Sequence, residues 1–163
     1  VGSAVHLFFQ QIARKQILSP DQKSIRQALI HLGVSKTDLD FAVAQVQTAL
    51  QNARMSERAQ WILNNHEEDN SEYSITGVVD GAVVRGIIDR TFVDSGTRWI
   101  IDYKTSSHQG GDLTRFLDEQ QRRYRDQLNR YGKLLSSLGL PVRLGLYFPL
   151  LDEWREWGLE DSL

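Results

Sequence analysis

Cysteine is absent from this 163-residue chain. Disulfides, thiolate zinc sites and cysteine-ligated iron–sulfur clusters are therefore excluded, and the composition fits a reducing, cytoplasmic setting. Long apolar runs are lacking too: none reaches eighteen residues, so no membrane span is expected, and no secretory signal is evident. There is no Gly-x-x-x-x-Gly-Lys-Ser/Thr phosphate loop, which excludes a P-loop ATPase within this piece. Nor is there an excess of positive charge. Nineteen Lys and Arg against 21 Asp and Glu leave a net charge of −2 and a pI near 6.1. A protein that only coats nucleic acid is usually basic. Any nucleic-acid binding must here be local or shared with a partner, and the mild acidity suits carboxylates that await cations.

What is present is ordinary for a soluble globular chain: 40% hydrophobic and 25% charged residues, in a length that suits one domain spanning residues 1–163 with a full core. Val1 is not a natural start and helix follows at once, so the chain reads as a fragment of a longer one. No internal repeat or low-complexity stretch is seen.

Residues up to about Asn65 read as helical. Val5, Phe8, Phe9 and Ile12 recur at helical spacing. Ser19-Pro20 is expected to cap and open a second helix that stops at Gly33. Thr37 or Ser35 is expected to cap a third, through about Ala53, and Ser56 a short fourth, through Trp61. The helices of 19–65 form a candidate subdomain. A polar loop is expected from His66 to Ser71. Then 72–79, 82–93 and 97–104 read as strands rich in β-branched and aromatic residues, joined by Asp80-Gly81 and Ser95-Gly96, both hairpin signals. A Gly-rich loop at 107–112 leads to a long helix, about 113–137, that ends before Gly139 and Pro141. A last strand follows at 142–148. Strand, helix, strand implies a right-handed parallel crossover. The fold class is α+β: three antiparallel strands plus a parallel crossover strand, flanked by helices, with an N-terminal helical part.

The turns set a register if both have two residues. Asp94 then faces Thr97, and counting outward Asp89 faces Asp102. Val79 faces Ala82, and Glu72 faces Asp89. Three acids, one per strand, would stand in a row. Opposed like charges about 5 Å apart are destabilising, so such a row calls for protons, a basic neighbour or cations. Oxygen ligands at that spacing suit Mg²⁺ or Mn²⁺. Lys104, two residues after Asp102, projects from the same face. The plain alternative is a solvated face of mixed charge. Against it, Asp89 follows Gly86-Ile87-Ile88 and Asp102 follows Trp99-Ile100-Ile101, where a sheet normally packs and an unpartnered acid is costly.

The ordered set of GIIDR, IIDYKT thirteen positions on, and QLNRY on a helix resembles the RecB-like nucleases of the PD-(D/E)XK superfamily, which sit at the C-terminal end of helicase–nuclease chains of the RecB and AddA type. The resemblance runs from Gly2 to about Trp157. It implies that Asp89, Asp102 and Lys104 are catalytic, with Asp89, Asp102 and the backbone carbonyl of Tyr103 binding metal. Gly2 and His6 match a Gly-x-x-x-His setting of the family's first helix, which makes His6 a further ligand. Glu72 resembles the acid on the first strand of many members. Gln127 and Tyr131 match the helical motif that faces the cleft; Tyr124 lies on the same stripe, and Thr105 extends the lysine strand toward a phosphate. The four-cysteine cluster of some relatives is missing. The function implied is metal-dependent hydrolysis of DNA, on single strands or duplex ends, exonucleolytic rather than endonucleolytic, in a bacterial helicase–nuclease that repairs double-strand breaks with a partner subunit. The alternative is an inactive nucleic-acid-binding or scaffold domain of the same fold.

Other residues carry plainer readings. His31 suits a helix C-terminus. His108, just after the lysine motif, is expected in solvent. Arg115, Arg122, Arg123, Arg125, Arg130 and Lys133 alternate with Asp118, Glu119 and Asp126, a solvated mixed face of which part can line a DNA path. Trp154 and Trp157 are expected in core or edge packing.

Overall fold

The computed structural model describes residues 1–17 and 19–159; the stretch 160–163 of the expected domain lies outside them. The elements are α1 (Gly2–Ala13), α2 (Gln22–His31), α3 (Leu39–Met55), α4 (Glu57–Leu63), β1 (Glu67–Val79), β2 (Ala82–Asp94), β3 (Thr97–Tyr103), α5 (Leu113–Ser136), β4 (Val142–Phe148) and β5 (Glu153–Gly158). This is the α+β architecture expected. By contacts the chain divides into two units. One holds Val1–Asn64, Tyr103–Ser107 and Phe148–Glu153; the other holds Asn65–Asp102, His108–Tyr147 and the chain from Trp154 on.

The first unit is built on α1–α4. In α1, Ala4, Val5, Phe8 and Phe9 form the buried stripe that their spacing dictates. The start of α2 falls later than expected. Asp21, not Ser19, is its N-cap and accepts a 2.7 Å bond from the Ser24 amide. The Ser24 side chain and amide together hold the Asp21 carboxyl below its ordinary value. Gly33 does end the helix, at φ 82°, and the Val34 amide turns back onto the Leu29 carbonyl at 3.0 Å. Neither Ser35 nor Thr37 caps α3. Their hydroxyls bond each other, Ser35 donates to Asp38, and Asp38 holds the N-cap position. Ser56 caps α4 as expected, accepting from the Ala59 amide, and the helix runs on to Leu63.

The second unit is a five-stranded sheet in the order β1-β2-β3-β4-β5, with one parallel pair, that of the crossover. Both hairpin turns have two residues with positive φ: Asp80 and Gly81 at 50° and 78°, Ser95 and Gly96 at 51° and 74°. That is the turn geometry which matches the twist of the flanking strands. The register expected from it is found, from Val79↔Ala82 on one side and Asp94↔Thr97 on the other. The expected polar loop at 66–71 is instead the start of β1, with a register shift between Glu67 and Asn70. The second departure is β5, a strand absent from the sequence reading. Its tryptophans explain it. Trp157 is buried and donates from Nε1 to the Asn129 Oδ1 of α5 at 2.9 Å. Trp154 lies over Gly145 of β4, where a Cβ would overlap its ring.

The helix α5 lies on one face of the hairpin β1–β2. Tyr131 occupies the place a Cβ would take at Gly86, and Leu134 the place of one at Gly77. Ile75, Val84 and Ile88 are buried, and by alternation share the face of those glycines. Lys133 pairs with Asp80 at the hairpin turn, 3.1 Å away.

Candidate metal centre

The acids lie on the antiparallel part of the sheet. The β2–β3 pairing ends at Arg90↔Ile101, with Asp89 and Asp102 the next residue of each strand. On the other side, Ser71 pairs with Arg90 and Tyr73 with Ile88, which leaves Glu72 across from Asp89. Glu72 stands there with φ 52°, a left-handed conformation that costs a non-glycine residue on the order of 1–3 kcal/mol. A carboxylate oxygen of Glu72 and one of Asp89 lie within 4.8 Å of each other. Asp89 is only 7% exposed, while Glu72 and Asp102 are half-buried. Two carboxylates this close, one of them nearly out of solvent, repel when both are charged. A divalent cation would turn that repulsion into ligation.

In the first unit, the chain that continues β3 meets α1. The Nε2 of His6 lies 3.3 Å from the carbonyl oxygen of Tyr103. The buried Tyr103 ring stands edge-on to those of His6 and Phe9, with centroids 5.5 and 5.0 Å away. One turn earlier on α1, a Cβ at Gly2 would come within 2.9 Å of the Thr105 Oγ1. The Gly-x-x-x-His spacing follows from this. Four helical residues rise about 6 Å, and two residues of extended chain span roughly 6.6 Å, so Gly2 meets Thr105 where His6 meets Tyr103. Glycine gives Thr105 its room.

Each unit holds donors of the kind that small divalent cations take. Two neighbouring ligands of an octahedral ion, each about 2.1 Å from it, are roughly 3 Å apart; the His6 Nε2 and Tyr103 carbonyl are at nearly that separation. The carboxylates supply the hard oxygen donors that Mg²⁺ and Mn²⁺ prefer.

The remaining expected residues fall as follows. Lys104 is half-buried and comes one residue after the end of β3. Gln127 donates to the Tyr131 hydroxyl at 3.0 Å. Tyr131, buried over Gly86, lies on the face of β2 opposite to that of Asp89, since the two positions differ by an odd number of residues. The structure thus joins the glycine of Gly-x-x-Asp to the tyrosine of Gln-x-x-x-Tyr directly. Tyr124 is half-buried under the Arg123 guanidinium, 5.4 Å from its ring centroid. His108 is not the solvent-exposed residue expected: it stacks on Phe116 at 4.8 Å and 23°. Sequence reasoning missed Arg90 and Arg98, both buried; an arginine within an apolar strand run was the available signal.

An α+β fold with carboxylates on adjacent strands, and a lysine two residues beyond the last, is an arrangement that can hold a divalent cation. The comparison with known families specifies it. The family model of the PD-(D/E)XK nuclease superfamily matches residues 1–153, and the chain belongs to that superfamily, whose members are typically nucleases that use divalent metals. No curated protein matches the chain. Among the described residues no helix is long and apolar enough to cross a membrane.

Proposed function

We propose that this chain is a metal-dependent deoxyribonuclease, the nuclease module of a bacterial, cytoplasmic helicase–nuclease of the RecB and AddA type. It would act in double-strand break repair on single strands or duplex ends, as an exonuclease. A helicase module in the same parent chain and a partner subunit would deliver the DNA. The observation that supports the reading best is that carboxylate oxygens of Glu72 and Asp89, on adjacent strands, lie within 4.8 Å of each other.

Asp89, Asp102, the Tyr103 carbonyl and His6 are the residues that would hold Mg²⁺ or Mn²⁺, with Glu72 as a supporting acid. When bound, such an ion polarises the scissile phosphate and lowers the pKa of a coordinated water. The chain's own residues do the rest. Lys104 holds its ammonium near the charge that develops on the phosphate and orients the attacking water. Thr105 donates a hydrogen bond to a neighbouring phosphate. Tyr131, to which Gln127 donates a hydrogen bond, packs on Gly86 of β2 and would keep Asp89 in position, with Tyr124 on the same helix.

Cleavage of end-labelled linear single-stranded DNA, against the same DNA as a covalent circle, tests this with Mn²⁺ present. The wild type should degrade the linear form from an end and spare the circle. Lys104→Ala should lose about 100-fold or more in kcat while its Mn²⁺ affinity stays within about twofold. A folded wild type that binds DNA in Ca²⁺ but cuts neither form, alone or with its helicase, would favour an inactive binding domain.

A further inference from the structure

Arg90 follows Asp89 and is 1% exposed, among the largest fully buried side chains of the described residues. Its guanidinium donates to Asp69 Oδ2 at 3.2 Å and to Ser71 Oγ at 3.3 Å, and lies 5.6 Å from the centroid of the Phe92 ring. Asp69 Oδ2 also accepts from the His66 amide at 3.0 Å. Arg98, likewise buried, pairs with Glu68. Both arginines therefore hold one segment, the first half of β1. That segment is the irregular one. Its register shifts between Glu67 and Asn70, and Glu68 and Glu72 both take left-handed backbone.

A buried guanidinium is an expensive way to hold a strand. It stays charged at any working pH, and apolar groups of similar volume often serve stability as well or better. Its fork, however, fixes two acceptors at once in a defined geometry. Here the acceptors are Asp69 and Ser71, and Ser71 is the residue directly before Glu72. A regular strand would not carry Glu72 at φ 52°, and Arg90 bonds the side chain of the residue directly before it.

We infer that Arg90 is a positioning residue for the metal centre: by anchoring Asp69 and Ser71 it holds Glu72 in the left-handed conformation that presents its carboxylate to Asp89. It touches neither the ion nor the substrate and acts through Glu72. The inference rests on the metal-centre reading above, and it separates the role of Arg90 from a merely structural one.

The test is Mn²⁺ binding by isothermal titration on the folded protein, with thermal unfolding in EDTA as the control, for wild type, Arg90→Met, Arg90→Lys, Glu72→Gln and the double variant Arg90→Met/Glu72→Gln. Partners in a second layer around a metal typically govern its affinity by 10–100-fold. Arg90→Met should bind Mn²⁺ at least tenfold more weakly, Arg90→Lys should recover part of the loss, and in the Glu72→Gln background Arg90→Met should add nothing further. If Arg90→Met does not fold, Ser71→Ala and Asp69→Asn should show the same weakening, more mildly. Folded Arg90→Met with wild-type affinity overturns the inference and leaves the metal centre standing, as does a loss that simply adds to that of Glu72→Gln. A wild type that binds no Mn²⁺ overturns the metal centre itself, and this inference with it.

Discussion

At the scale of single residues, most of the motif positions are explained by what sits against them. Gly86 is glycine because the Tyr131 hydroxyl occupies the site of its Cβ. Two motifs that look independent in the sequence are thus one packing contact. Gly86→Ala should destabilise the protein by about 1–3 kcal/mol through overpacking, measured by urea unfolding. Since the hydroxyl is the nearest atom, Tyr131→Phe should restore part of the loss in the Gly86→Ala background; strict additivity of the two changes would contradict the contact. Asp89 and Asp102 stand out in the sequence because acids break apolar runs conspicuously. Arg90 breaks one in the same manner, but its partners Asp69 and Ser71 lie nineteen or more residues away on a segment with no clear pattern, so nothing local revealed its purpose.

At the scale of elements, what was legible was whatever local chemistry decides. Asp-Gly and Ser-Gly permit positive φ at the turns, and the register of three strands follows from two dipeptides. Helix ends were less legible. Asp21 and Asp38 hold positions expected for Ser19 and for Ser35 or Thr37, since several polar residues stood near each start and the competition among them is settled by the fold. The first half of β1 and all of β5 were not legible. β1 begins with left-handed residues that long-range ion pairs hold, and β5 is a short run of Glu, Arg and Trp whose strand conformation comes from tryptophan packing. Trp157→Phe tests the latter. It keeps a ring but strands the Asn129 side chain, which is buried, and should cost about 1–3 kcal/mol. A Tm equal to that of wild type would mean that the Trp157–Asn129 bond does not hold β5.

At the scale of the whole molecule, the candidate residues divide between the two units. Glu72, Asp89 and Asp102 belong to the sheet unit, while His6, Tyr103 and Lys104 belong to the helical one. β3 carries the chain from one to the other between Asp102 and Tyr103. The overall α+β class was legible because hydrophobic periodicity changes from helical to alternating near residue 72; the division into units was not, because it depends on which distant segments share contacts. The central claim is that Asp89 and Asp102 hold a divalent cation. The most direct measurement is the manganese anomalous signal from a crystal soaked in Mn²⁺. A peak is predicted about 2.1–2.3 Å from a carboxylate oxygen each of Asp89 and Asp102. An ordered crystal with no peak there, or with its strongest peak away from Asp89 and Asp102, would contradict it.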